Sequence, residues 1–218
     1  MLFNIEKYKE IKEYIENFSK NFENAPAKII AVTKTHPIET VEEAIKCGIL
    51  HFGENKVQEA YNKFKDLKIT HKNIYLHMIG PLQTNKVKKA LEVFDFFHSL
   101  DRQNLALEFS KHPNNIKQKS FFIQVNTGNE EQKSGILSNL ASEFIQYCLN
   151  ALKLNIVGLM CLPPINEDPR PHFLALKELA TKNKLKHLSM GMSADYRIAV
   201  DNGATFIRVG SNLFGFRK

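Results

Sequence analysis

The segment HLSMGMSADYRIAVDNGATFIRVGS, residues 187–211, decides the fold. It contains two short apolar and β-branched runs, 187–190 and 205–209, separated by an amphipathic stretch, 194–202. This alternation is typical of a parallel β/α unit, because parallel strands need a long crossover, which is usually a helix. The segment therefore predicts a strand, a helix and a second strand.

The same alternation recurs along the chain and gives eight predicted strands. Eight strands with intervening helices predict a closed (β/α)8 barrel of the TIM type, and an open doubly wound sheet is the alternative. The predicted strands are residues 29–33, 50–52, 75–79, 94–98, 121–126, 156–161, 187–190 and 205–209. The predicted helices are residues 37–47, 85–91, 137–149, 171–182 and 194–202, with an extra helix over about 3–22.

Size and composition favour a single domain over residues 1–218. The chain has 218 residues and 43% hydrophobic residues, as is ordinary for an α/β barrel, and contains no Pro/Gly-rich linker. Its apolar runs are too short to span a membrane, and its first residues lack the layout of a secretory signal. We therefore expect a cytoplasmic protein without membrane association.

Charge and cysteine content point to neither nucleic acid nor metal. The net charge of +7 is scattered, and the one tight basic group, Lys86, Lys88 and Lys89, fits the solvated face of a helix. The three cysteines are widely spaced and form no CxxC pattern. We expect reduced thiols and no metal site.

Lys34 directly follows the first predicted strand, in IIAVTKTHP, residues 29–37. In such a barrel, functional groups lie where strands end and the following loops begin. Partial desolvation there lowers the pKa of a lysine and favours the neutral amine that attacks carbonyl groups. Lys34 is the candidate for a Schiff base; the alternative is an ordinary surface lysine.

Glycine and serine residues follow the last two predicted strands. Gly191 and Ser193 end the seventh strand, and Gly210 and Ser211 follow the eighth. Barrels commonly bind phosphate in these two loops, because glycines let backbone N–H groups approach the anion. The four residues predict a phosphate site.

A Schiff-base lysine facing a phosphate site fits a phosphorylated aldehyde cofactor, and pyridoxal 5′-phosphate (PLP) has both groups. Arg208 lies two residues before Gly210 and is the candidate partner of the pyridine nitrogen; the alternative is a structural arginine. Asn55 is the candidate donor to the phenolic oxygen or the ring. Polar residues within 124–135 are expected to shape the cavity, without an assigned contact.

Seven short motifs carry a resemblance to a known family. They are AVTK (31–34), HFGEN (51–55), HMIGPLQTNK (77–86), KSG (133–135), GLM (158–160), LSMGMS (188–193) and RVG (208–210). On these motifs the chain resembles the pyridoxal phosphate homeostasis proteins, the YggS/PROSC group, over nearly its whole length.

The resemblance implies a barrel like the N-terminal domain of alanine racemases, with PLP linked to Lys34. It also implies a role in intracellular cofactor supply, in which free PLP is kept low and handed to apoenzymes, without a demonstrated enzymatic activity. One departure is Arg197, where the family usually has an acidic residue, so we expect a different surface charge on that helix.

The alternative function is a PLP-dependent amino-acid racemase. A two-base racemase needs an acid/base group on each face of the substrate α-carbon, and Lys34 can supply one. Related racemases take the other from a tyrosine on a second domain, whereas this chain ends at Lys218 and only Tyr75 and Tyr196 lie near strand ends. The sequence therefore favours a non-catalytic carrier, as a monomer or a loose dimer.

Overall fold

Strands and helices alternate along almost the entire chain. The structure is a computed structural model that describes residues 3–22, 25–130 and 132–215, and this part of the chain contains nine strands and eleven α-helices. The strands are β1 Lys28–Val32, β2 His51–Glu54, β3 Tyr75–Met78, β4 Phe96–Leu100, β5 Ser120–Asn126, β6 Ile136–Leu137, β7 Ile156–Cys161, β8 His187–Met192 and β9 Phe206–Val209. The helices are α1 Ile5–Phe22, α2 Ile38–Lys46, α3 Val57–Phe64, α4 Leu67–Thr70, α5 Val87–Val93, α6 Gln103–Ser110, α7 Pro113–Ile116, α8 Ser138–Gln146, α9 Pro169–Lys182, α10 Tyr196–Asp201 and α11 Ser211–Phe214. A 3-10 turn, Thr84–Lys86, precedes α5, and a π-helical turn, Tyr147–Ala151, follows α8.

Eight of the strands close into a parallel barrel. The pairing runs from β1 through β2, β3 and β4 to β5, and then through β7 and β8 to β9, which pairs with β1. The two-residue strand β6 pairs only with β5, at the margin of the barrel. The predicted (β/α)8 barrel is therefore confirmed, and the open sheet is excluded.

Two predicted strands are displaced along the sequence. The second predicted strand, 50–52, begins one residue before β2, and Leu50 is exposed at 41%. It also ends two residues early, because β2 continues to the buried Glu54. The fourth, 94–98, begins two residues early, because the Phe94 N–H still donates to the Ala90 carbonyl at the end of α5. All eight predicted strands agree with the structure to within two residues at each end.

The predicted helices do not include α3 and α6, which have eight residues each, or the four-residue helices α4, α7 and α11. The predicted helix 137–149 begins one residue early, because Leu137 belongs to β6 and pairs with Asn126 of β5. The predicted domain 1–218 also includes residues 1, 2, 23, 24, 131 and 216–218, which lie outside the described residues. None of the described helices is long and apolar enough to cross a membrane.

The interior of the barrel is aromatic. The Phe206 ring on β9 lies 5.9 Å from Phe96 on β4 and 5.6 Å from Phe122 on β5, between ring centroids, so these contacts cross the barrel. Ile30 and Met160 complete this small cluster, which is separate from the larger core packed between the strands and the helices. Because these side chains fill the interior of the barrel, a binding site is expected at one of its two ends.

Candidate functional site

A cavity of about 690 Å³ lies at the carboxyl ends of the strands, within the usual range for small-molecule sites. The structure brings six of the seven predicted site residues to its wall. They are Lys34, Asn55, Ser193, Arg208, Gly210 and Ser211. His36, Ile79, Leu162 and Met192, which the sequence did not single out, also line the cavity.

Gly191, the seventh predicted residue, is not among the residues that line this cavity. It is buried with a φ of +86°, and an added Cβ would lie 2.4 Å from the Ala199 Cβ on α10. Glycine is needed at position 191 because α10 packs closely against β8, and because L side chains rarely adopt this φ. The close packing of α10 is a second reason for glycine at this position, beside the predicted contact with the cofactor.

The backbone on both sides of Lys34 is anchored to charged side chains, of which Lys63 is buried and Glu59 is partly exposed. The Thr33 carbonyl accepts a hydrogen bond from Lys63 Nζ at 2.9 Å, and the Thr35 N–H donates to Glu59 Oε1 at 2.5 Å. Thr35 has a φ of +68°, an uncommon conformation for a β-branched residue. Lys34 therefore projects from a segment whose two neighbours are fixed.

These anchors belong to one buried ionic cluster. Lys63 Nζ lies 2.9 Å from Glu54 Oε1 and 3.2 Å from Glu59 Oε1, and the Thr33 hydroxyl donates to Glu54 at 2.7 Å. The side chains of Lys63 and Glu54 are exposed at only 8% and 0%. Burial raises the pKa of Glu54, and the nearby Lys63 charge opposes that rise. The sequence missed this cluster; its only visible sign is the four-residue spacing of Glu59 and Lys63.

Arg208 lies in the cavity wall with its position fixed from behind. Its Nη1 donates to Ser189 Oγ at 2.7 Å, and its Nη2 donates to the Cys161 carbonyl at 3.0 Å. Burial lowers the pKa of Arg208 below the ordinary value of an arginine. A guanidinium has only donor groups, so it can hydrogen-bond a group with a free lone pair in the cavity.

The loops after β8 and β9 meet in the wall of the cavity. The Gly210 N–H donates to Ser193 Oγ at 3.3 Å, and Asn212 Nδ2 donates to the Ser193 carbonyl at 3.0 Å. These bonds join the two loops that the sequence assigned to phosphate. Ser193, Gly210 and Ser211 thus lie side by side in the wall.

The residues of the cavity fit an anionic aldehyde cofactor. Among the described residues that line it, Lys34 and Arg208 supply an amine and a guanidinium, and none is an aspartate or a glutamate. The amine can bond an aldehyde, and the guanidinium can donate to a pyridine nitrogen. The two serine hydroxyls can donate to a phosphate. In the described part of the chain, no group of three or more potential metal ligands was found.

A smaller cavity of about 280 Å³ adjoins the first and shares Ile79 and Leu162 with it. It is lined by polar residues that the sequence expected to shape the cavity without an assigned contact, namely Gln124, Asn126, Lys133 and Ser134. The two tyrosines near strand ends line neither cavity. Tyr75 stacks on His51 at 5.0 Å, and Tyr196 packs against Tyr14 at 6.1 Å.

Arg197, the residue at which the chain departs from the expected family pattern, also lies outside the cavity. Its Nη2 donates to Glu10 Oε1 at 2.8 Å, and its guanidinium carbon lies 5.2 Å from the Tyr14 ring centroid. These contacts join α10 to α1. Arg197 therefore contributes to a contact between two outer helices.

A family model and several curated proteins match most of this chain. The family model described as the alanine racemase N-terminal domain matches residues 7–218. A protein of Aquifex aeolicus named pyridoxal phosphate homeostasis protein is 42% identical over 203 residues, 88% of each chain. The Escherichia coli K12 protein of the same name is 34% identical over 201 residues, 87% of this chain and 85% of its own.

Solved structures give the same picture. PipY of Synechococcus elongatus, solved with PLP bound, superposes with a TM-score of 0.77 at 31% identity, covering 93% of this chain and 100% of that chain. The alanine racemase of Corynebacterium glutamicum superposes with a TM-score of 0.67 at 15% identity, covering 97% of this chain and 62% of that chain. The second likeness concerns the fold alone.

Proposed function

We propose, from the premise that this chain belongs to the alanine racemase N-terminal domain family and within it to the pyridoxal phosphate homeostasis proteins, that it is a carrier of PLP. The cofactor is held in the 690 Å³ cavity as a Schiff base on Lys34 and is handed to apoenzymes that need it. When bound, PLP supplies an aldehyde that exchanges between amines.

One observation carries this proposal: Lys34 and Arg208 face the same cavity as the joined serine and glycine loops. In the proposed arrangement, Lys34 Nζ bonds the aldehyde carbon and Arg208 donates to the pyridine nitrogen. Ser193, Gly210 and Ser211 bind the phosphate, and Asn55 donates to the phenolic oxygen or the ring. Gly191 supports the site by letting α10 approach β8.

A carrier is favoured over a racemase by the residues around Lys34. A two-base racemase needs a second acid/base group on the other face of the substrate, and no tyrosine is among the described residues that line the cavity. An arginine beside the pyridine nitrogen also leaves that nitrogen unprotonated, which weakens the electron withdrawal that carbanion chemistry needs.

Cofactor transfer tests the proposal directly. The PLP-loaded protein is mixed with an apo-aminotransferase in the presence of a phosphatase that destroys free PLP, and recovery of aminotransferase activity is followed. We expect recovery to exceed that obtained with the same amount of free PLP. Equal recovery from both sources, or racemisation of an amino acid by the loaded protein, would count against a carrier.

Ser193→Asp is expected to weaken PLP binding by about 100-fold, or ~2.7 kcal/mol, because a carboxylate beside the phosphate repels it. Aspartate can still accept the Gly210 N–H, so the two loops remain joined. A spectroscopic titration with PLP measures the affinity. Ser138→Asp, at the first residue of α8 and outside the cavity, is the control that adds the same charge. Equal affinities of the two variants would remove Ser193 from the phosphate site.

Arg208→Gln is expected to shift the visible absorption of the bound cofactor and to speed its release about tenfold, because a charged hydrogen bond is lost. The spectrum and the release rate into a PLP-free buffer are measured together. Arg102→Gln is the control, since Arg102 also donates to a backbone carbonyl, that of Leu82, but does not line the cavity. If both variants keep the native spectrum and rate, Arg208 has a structural role only.

A further inference from the structure

A chain of five polar side chains crosses the interior of the barrel. From Arg208 in the cavity wall it passes to Ser189, where Nη1 and Oγ are 2.7 Å apart, and to His98, whose Nδ1 lies 2.8 Å from that oxygen. It continues from His98 Nε2 to His77 Nδ1, and from His77 Nε2 to His51 Nδ1, both at 2.9 Å. The chain thus involves β9, β8, β4, β3 and β2 in turn.

The middle of this chain is completely buried. Ser189, His98 and His77 have no exposed surface, in a position where barrels of this type usually carry branched apolar residues. His77 stacks on Phe96 at 4.4 Å and His98 on Phe122 at 4.3 Å, between ring centroids. Buried polar groups are costly unless they are hydrogen-bonded, and here each of the three has a partner on both sides.

Arg208 gives the chain a direction. A guanidinium has no acceptor, so its Nη1 must donate to Ser189 Oγ. Of the two side-chain partners that Ser189 Oγ has among the described residues, only His98 Nδ1 can accept, so we assign the hydroxyl hydrogen to it. Because a neutral imidazole has one donor and one acceptor, His98 donates from Nε2 to His77 Nδ1. By the same rule His77 donates from Nε2 to His51 Nδ1. All three histidines are therefore assigned the Nε2–H form.

The surroundings keep the imidazoles neutral. Burial holds the pKa of His77 and of His98 well below the ordinary value. Burial and the charge of Lys28 lower the pKa of His51 to about 4. His51 lines a separate cavity of about 330 Å³ together with Lys28, Lys12 and Glu16, at the opposite end of the barrel from Lys34. Each imidazole can therefore donate and accept at neutral pH, as the chain requires.

We propose that Ser189, His98 and His77 are positioning residues that hold the Arg208 guanidinium toward the cofactor cavity. The inference rests on the proposed function, since it gives Arg208 its role. With its hydrogen directed to His98, the Ser189 oxygen presents only lone pairs to Arg208, and the Cys161 carbonyl holds the second terminal nitrogen. The orientation of the guanidinium plane is thereby determined from inside the barrel.

Three variants separate positioning from packing. Ser189→Ala removes the acceptor for Arg208, and His98→Leu removes the group that orients the serine hydroxyl. Phe122→Leu, the matched control, removes the ring that stacks on His98 but leaves the hydrogen bonds in place. Each variant is loaded with PLP, and its visible spectrum, cofactor release rate and melting temperature are measured.

We expect Ser189→Ala and His98→Leu to shift the cofactor spectrum and to speed release about tenfold, as Arg208→Gln does. Phe122→Leu is expected to lower the melting temperature while leaving the spectrum unchanged. If all three variants alter the spectrum in proportion to their loss of stability, or if none alters it, the histidine chain is only packing and the inference is wrong.

A measurement on the unmutated protein holds even where a variant fails to fold. Histidine ¹⁵N chemical shifts distinguish a protonated from an unprotonated ring nitrogen, and we expect an unprotonated Nδ1 at His98, His77 and His51 between pH 6 and 8. A proton on His98 Nδ1 would reverse the chain and overturn the inference. Because this result needs no cofactor, it is independent of the proposed function, which fails separately if borohydride traps no PLP on Lys34.

Discussion

Replacing Lys34 by alanine is expected to abolish the visible absorption of the bound cofactor. It should also weaken PLP binding by about 100-fold, which corresponds to ~2.7 kcal/mol. The covalent bond to the aldehyde disappears, while Arg208 and the serine loops still offer their non-covalent contacts. The variant should fold normally, because the anchoring contacts flanking position 34 use the backbone of Thr33 and Thr35. A titration with PLP, followed by absorbance and by equilibrium dialysis, measures the change.

Lys88→Ala is the matched control, since Lys88 is an exposed lysine on α5 and does not line the cavity. It should bind PLP as the wild type does. The same loss of absorbance in both variants, or in neither, would mean that Lys34 does not anchor the cofactor.

Lys63→Met is expected to lower the free energy of unfolding by about 3–5 kcal/mol at neutral pH, because it leaves the buried Glu54 carboxylate without its cation. Glu54 can escape the cost by taking up a proton. Its pKa is already raised by burial, and loss of Lys63 raises it further. A carboxyl with a raised folded pKa favours folding at low pH and loses that contribution as pH rises, so the deficit should be smaller at pH 5.5 than at pH 8.

Urea unfolding at both pH values measures this effect, and two further variants interpret it. Lys111→Met breaks an ion pair with Glu108 in which Lys111 is 66% exposed, and should cost less than about 1 kcal/mol. Lys63→Met combined with Glu54→Gln removes the buried charge and should regain part of the loss. A deficit independent of pH, and unchanged by Glu54→Gln, would show that the cluster does not act through the Glu54 charge.

The sequence predicted the barrel because a parallel β/α fold leaves a local signal. Buried strands such as β7 are short apolar runs, and β7 was placed without error at residues 156–161. The cavity was predicted for a related reason: the carboxyl ends of the strands in a barrel meet at one face. Lys34 and Arg208 could therefore be assigned to one site from their positions at strand ends, although 174 positions separate them.

The sequence could not predict contacts between polar side chains inside the fold. Glu54 follows the predicted second strand, and Lys63 lies in a segment where the sequence predicted no helix. The packing of α3 against β2 buries the two side chains together. His77 lies on the predicted third strand, but its link to His98 depends on the stagger between β3 and β4. Hydrophobic periodicity contains no information on that stagger.

The central claim is that Lys34 holds PLP, and borohydride reduction of the wild-type protein loaded with one equivalent of PLP tests it most directly. Reduction fixes the cofactor to the amine that carries it, and peptide mass mapping then identifies that amine. We expect a single phosphopyridoxyl adduct, on the peptide that contains Lys34. An adduct on another lysine, or adducts spread over exposed lysines with Lys34 unmodified, would contradict it.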